Sequence, residues 1–124
     1  MRAYDLFMHK NDSGENQSSG GPLEGVRVID LTSVLMGPFA SQNLGEMGAD
    51  VIKIEAPQGD LVRQIGPARH AGMGPVFLNA NRGKRSVVLD LKSPDGMDAL
   101  RKLIADADVL MYNVRPQAMA RLGL

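Results

Sequence analysis

The chain has 124 residues, enough for one small domain with a modest core. Its 14 basic residues balance 14 acidic ones, which weighs against a general nucleic-acid or membrane-surface binder, since those classes carry a basic excess. It contains no cysteine, which excludes a disulfide framework, a thiolate nucleophile and a Cys-ligated metal.

Residues 1–21 read as a mobile tail. The run Asn11 to Gly21 is polar and rich in Gly and Ser, and it buries too little surface to offset its ordering entropy. A folded region is expected over residues 22–124. Val26, Val28, Ile29 and Leu31 form a β-rich run ending at Thr32-Ser33. Gly37-Pro38 marks a helix entry, Ala40, Leu44 and Met47 supply an apolar stripe at i, i+4, i+7, and Gly48 suits the left-handed position that stops the helix. Val51, Ile52 and Ile54 form the next strand with no hairpin turn before it, so strand, helix and strand make a parallel crossover.

Between Ala56 and Asn81 the pattern is broken by repeated Gly and Pro. An excursion of this length in a compact domain is commonly functional or mobile. Val87, Val88 and Leu89 then read as a strand. Ser93-Pro94-Asp95 opens a helix with a capping hydroxyl, Pro in the first turn and an acid facing the dipole. Met97, Leu100, Leu103 and Ile104 are its apolar stripe. Val109 to Met111 make a fourth strand, Pro116 starts a short helix and Gly123 stops it. The fold class is α/β, a Rossmann-like parallel sheet with crossover helices.

Ligands of open parallel sheets bind outside the carboxyl ends of the strands. Here those ends carry Thr32 to Leu35, Glu55 to Gly59, Leu89 to Lys92 and Tyr112 to Arg115. They form either a rim for an adenosine-phosphate ligand or ordinary loops around a sheet. Gly37-Pro38 lacks the spacing of a dinucleotide fingerprint or a P-loop. Asn81-Arg82-Gly83-Lys84-Arg85-Ser86 sets three cations around a flexible Gly. Such a loop either grips phosphate or is a basic turn, solvated or paired with Asp60 or Asp90. Lys53 and Glu55 alternate with Ile52 and Ile54, as edge solubilisers or as ligand-facing groups. Ser33, Ser41 and Ser86 have no His partner and no nucleophile elbow, and Asp60 and Asp90 are nucleophile candidates only by residue type. His9 and His70 stand apart from any carboxylate pair, so no metal site is expected. No apolar run approaches the ~20 residues that span a bilayer, and no apolar signal core opens the chain; a cytoplasmic protein is expected.

Several spaced motifs occur in one order: Pro22 to Leu31; Val34 to Glu55, with Leu-Gly-x-x-Gly-Ala-Asp-Val-Ile-Lys-Ile-Glu; Pro57-x-Gly59-Asp60 with Arg63; Asn81 to Ser86; Leu89-Asp90-Leu91-Lys92; Ala107-Asp108-Val109 with Asn113; Arg115-Pro116; and Arg121-Leu122-Gly123. Over residues 22–124 this resembles the N-terminal portion of the class III (formyl-CoA transferase-like, CaiB/BaiF) CoA-transferases. The resemblance implies a Rossmann-like coenzyme A-binding region, with acyl-CoA and a carboxylic acid as substrates and no tightly bound cofactor. It implies CoA contacts at Val34, Leu89, Lys92, Asn113 and Arg121, with Leu89 on the adenine face and Lys92 and Arg121 on phosphate or nucleotide groups. It implies interlocked homodimers of the full-length enzyme, and neither nucleic acid nor membrane as partner.

In that family an Asp carboxylate attacks the acyl-CoA thioester, giving a mixed anhydride and then an aspartyl-CoA thioester. That Asp lies beyond Leu124, so the chain is expected to hold no catalytic residue and to be inactive alone. Leu35, Ala56 and Val114 stand where the formyl-CoA transferase branch has Gln, Arg and an aromatic residue, which argues against formate and oxalate as the substrate pair. The alternatives are a non-catalytic CoA- or nucleotide-binding fragment and part of an α-methylacyl-CoA racemase-like enzyme.

Overall fold

The computed structural model describes residues 20–124. The tail expected over residues 1–21 lies, up to residue 19, outside the described residues. The chain enters through a turn at Pro22 to Gly25, tied down by the Leu23 N–H donating to the Met47 carbonyl at 2.9 Å.

The elements are β1 (Arg27–Asp30), α1 (Met36–Glu46), β2 (Asp50–Glu55), a 3-10 turn (Leu61–Gln64), α2 (Pro75–Ala80), β3 (Arg85–Val88), α3 (Pro94–Ala105), β4 (Val109–Met111) and α4 (Pro116–Leu122). Every strand pairing is parallel, and the order across the sheet is β3-β2-β1-β4. This is the α/β fold expected from the strand–helix–strand spacing. The chain steps outward from β1 to β3, then returns to lay β4 on the other side of β1. Connections therefore diverge between β1 and β4, the place where an open sheet forms a crevice.

The two faces of the sheet differ in chemistry. Ile29, Ile52 and Ile54 pack against Leu100 of α3, with Met97, Leu103 and Ile104 around it. Those four helix residues are the stripe expected from the sequence. Leu100 is fully buried, which contributes about 2 kcal/mol. Ser93 caps α3 by accepting the Gly96 N–H at 3.1 Å. The opposite face carries Val28 and Val51 with Ala49, but also the buried charges Asp30, Lys53 and Glu55, as the period of two along β1 and β2 requires.

That polar face changes how α1 packs. Its buried residues are Gly37, Pro38, Ser41 and Gln42. The expected stripe is only partly inward: Leu44 is half-buried, whereas Ala40 and Met47 are exposed. The cause is Asp30, which needs donors inside the fold and takes the Ser41 hydroxyl. Gly37 permits the close approach, because a Cβ there would lie 2.5 Å from Cβ of Thr32.

The Gly- and Pro-rich excursion carries elements that its sequence pattern did not mark. It holds the 3-10 turn and α2. The Asp60 carboxylate caps the turn by accepting the Val62 N–H. Pro75 sits in the first turn of α2. Gly74 lets the two meet, since a Cβ there would lie 2.6 Å from the Val62 carbonyl oxygen. The third strand begins two residues earlier than expected, at Arg85, and lies at a sheet edge.

Candidate functional site

A cavity of about 600 Å³ opens at the carboxyl ends of the strands. Its walls come from all the expected rim segments: Ser33 and Val34 after β1, Ala56 to Leu61 after β2, Leu89 to Lys92 after β3, and Val114 after β4. Volume and position suit a small-molecule ligand at a topological switch point. A second groove of about 360 Å³ runs between α3 and α4, lined by Lys92, Arg101 and Arg121. Leu91 and Lys92 line both spaces, so the cationic groove continues from the apolar cavity.

The cavity rests on a chain of buried charges. Lys53, barely exposed, pairs with Asp60 at 2.9 Å and donates to the Thr32 carbonyl at 2.8 Å. Glu55 accepts from Arg63 twice, from the Ser86 hydroxyl and from the Asp60 N–H. Burial pushes the Glu55 carboxyl up, but the Arg63 bonds, the Ser86 bond and the Asp60 N–H outweigh it and hold the group down at about 2. Arg63 also lies 3.5 Å above the centre of the Phe77 ring, a cation–π contact that ties α2 to the same chain. Asp30 accepts from Thr32, Ser41 and Lys84. Burial raises its pKa, yet the hydroxyl bonds and the Lys84 ammonium prevail and keep it below the ordinary carboxylate range. No buried side-chain polar atom among the described residues lacks a partner, as a low-dielectric interior demands.

Lys53 and Glu55 are therefore not edge solubilisers: both line the cavity, with their charges paired inside the protein. Strand β2 is an inner strand. The basic loop before β3 is paired as well, Lys84 inside the protein and Arg82 and Arg85 at the surface. Lys84 is sealed against Asp30, Arg82 meets Glu46 and Arg85 meets Asp50. None of the three takes Asp60 or Asp90, and the loop leads into the amino end of β3, away from the cavity mouth. The pairing reading is corrected in its partners: Asp30, Glu46 and Asp50 stand in place of Asp60 and Asp90. Its signal in the sequence was Asp30, a lone carboxylate at the end of an apolar strand, which must find a buried cation.

The residues singled out as CoA contacts fall as follows. Val34, Leu89 and Lys92 share the larger cavity. Arg121 lines the groove that continues from it. Asn113 instead clasps the loop after β1: its amide donates to the Ser33 carbonyl at 2.9 Å and accepts the Ser33 N–H at 3.0 Å. It thereby bridges the carboxyl ends of β1 and β4 across the switch point. Ala56 and Val114 also line the cavity. Asp90, a nucleophile candidate by type, accepts the Lys92 N–H at 3.0 Å and shapes its own turn. Asp60, the other, is committed to Lys53. No group of three or more metal-ligating side chains occurs among the described residues, and no helix there is long and apolar enough to cross a membrane.

Comparison with known proteins gives a consistent result. The family model for CoA-transferase family III matches residues 23–124. Succinyl-CoA:glutarate CoA-transferase of Mus musculus is 45% identical over 104 residues, covering 83% of this chain and 24% of its own length. Succinate–glutarate CoA-transferase of Agrobacterium fabrum is 46% identical over 110 residues, covering 83% and 28%. A crystal structure of a CaiB/BaiF family protein from Brucella suis superposes with a TM-score of 0.79 at 39% identity, over 84% of this chain and 29% of that one. The chain thus spans about a quarter of the length of these relatives. With the matched region extending over every described element, the chain belongs to CoA-transferase family III.

Proposed function

We propose that residues 22–124 are the coenzyme A-binding region of an enzyme that moves CoA between carboxylic acids. The observation that carries this reading is the cavity at the carboxyl ends of the strands, apolar at Val34 and Leu89 and running into a groove flanked by Lys92, Arg101 and Arg121. The adenine packs on Leu89. Lys92 and Arg121 attract the phosphates, Lys as a point charge and Arg as a planar fork. Asn113 serves the site by bracing Ser33, one residue before Val34.

In the reaction, an enzyme carboxylate attacks the acyl-CoA thioester, forming a mixed anhydride and releasing the CoA thiolate. The thiolate then attacks the enzyme-derived carbonyl, giving an enzyme thioester and the first free acid, and the second acid afterwards takes the CoA. Asp30, Glu55 and Asp60 are buried and fully engaged, which makes them poor nucleophiles. In this reading residues 22–124 supply the CoA site, and the attacking carboxylate is none of these three. Relatives named as succinyl-CoA:glutarate CoA-transferases make short dicarboxylic acids the first acyl class to test. The complete enzyme pairs two chains as interlocked rings, and the outward apolar side chains Met36 and Phe39 of α1 support a covering of that face.

Calorimetry of the chain with CoA and with dephospho-CoA tests the reading. CoA is expected to bind, and more tightly than dephospho-CoA. Lys92→Ala and Arg121→Ala should each weaken CoA binding roughly 5- to 10-fold. Incubation with succinyl-CoA followed by mass spectrometry should find no covalent adduct; an acyl or CoA adduct on the chain would overturn the division of labour proposed here.

A further inference from the structure

Val34 is the sole non-glycine with a positive φ among the described residues, at +73°. A β-branched side chain is sterically opposed to that conformation, and Gly would adopt it freely. Such an outlier persists only where its surroundings over-determine it.

The surroundings do so from three sides. The Val34 N–H donates to both carboxylate oxygens of Asp60, at 3.2 and 3.3 Å. Lys53, paired with that carboxylate, donates to the Thr32 carbonyl two residues upstream. Asn113 holds both backbone groups of Ser33 between them. The side chain so held is not used in the core: Val34 is 45% exposed, and it lines the cavity. A turn needed only for the fold has no use for a valine there.

We infer that Asp60, neutralised by Lys53, is a positioning residue for ligand binding: it fixes the left-handed Val34 so that the isopropyl group stands as the cavity wall against bound CoA. This rests on the CoA reading of the cavity. Asp60 also caps the 3-10 turn through Val62, so loss of stability alone cannot test its role. Removing Asp60 alone would also orphan a buried Lys53 and risk unfolding.

The comparison is therefore made in a Lys53→Met background, where no buried cation is left unpaired. Asp60→Asn keeps an acceptor for the Val34 N–H, and Asp60→Ala removes it. Titration of the full chain with CoA should show the Asn version binding about tenfold more tightly than the Ala version, a coupling of ordinary size for contacting residues. When Val34→Gly is added to both, the ratio should fall to about one, because Gly needs no clamp. Hydrogen exchange at the Val34 amide, read without CoA, should be slow in the parent and the Asn version and fast in the Ala version. Equal affinity of the Asn and Ala versions overturns the inference, as does an unchanged ratio with Gly at position 34 or fast Val34 exchange in the parent. A parent chain that binds no CoA overturns the CoA reading itself and this inference with it, and slow Val34 exchange would then mark the clamp as purely structural.

Discussion

Lys84 puts its ammonium among three acceptors: the Asp30 carboxylate at 3.0 Å, the Pro38 carbonyl at 2.7 Å and the Asn81 side chain at 2.8 Å. Truncating it leaves the Asp30 charge buried without a cation. Lys84→Met should therefore cost on the order of 3–5 kcal/mol in urea unfolding. Arg82→Ala, two positions away, breaks an exposed pair with Glu46 and should cost under ~1 kcal/mol. The two measurements together separate an internal strut from a surface contact within one basic loop. Glu55 sets the acid limit. Its carboxyl is held at about 2 against an ordinary value of 4.5, so the folded state resists protonation that the unfolded chain accepts. The stabilisation is fully present above pH 4.5 and is lost as pH falls toward 2; it amounts to roughly 3 kcal/mol. Urea melts across that range should show this decline, and Glu55→Gln should be less stable at neutral pH with a flatter acid limb.

Among the elements, α3 delivers the segment Leu89 to Lys92 to the cavity, and Gly96 is its point of contact. In an exposed helix, Gly→Ala stabilises by about 0.5–1 kcal/mol. Here an added Cβ would lie 2.0 Å from the Asp90 carbonyl oxygen, and backbone cannot yield cheaply. Gly96→Ala should thus destabilise by about 1–3 kcal/mol and weaken CoA binding by displacing Leu89 and Lys92. Thermal melts and calorimetry read both effects; a more stable variant would contradict the packing described. This helix was legible in the sequence because every local cue agreed: the Ser93 cap, Pro94, the four-residue apolar stripe. Helix α1 was only half legible. Its ends were marked, by Gly37-Pro38 and by Gly48, whose φ is +102°. Its buried face was not, because Asp30 in a neighbouring strand recruits Ser41 against the apolar period. The 3-10 turn and α2 were missed because tertiary contacts hold them, chiefly Arg63 between Glu55 and Phe77.

For the molecule as a whole, the equal count of cations and anions hides a division of labour. On the sheet face under α1, charges neutralise one another inside the protein. Around the carboxyl ends, Lys92 and Arg121 line an open groove, beside Arg101 paired with Asp98. The rim was legible from strand order alone, since parallel strands fix which loops share an end. The roles of individual charges were not, because pairing such as Lys84 with Asp30 spans 54 positions and follows from the closed fold. The account stands on CoA occupying that rim. Chemical-shift mapping of the isotopically labelled chain during titration with CoA tests it most directly. Saturable shifts should cluster at Val34, Leu89, Lys92, Val114 and Arg121 and spare the Arg82 to Arg85 loop. Absence of saturable shifts at millimolar CoA, or shifts centred on that loop, would contradict it.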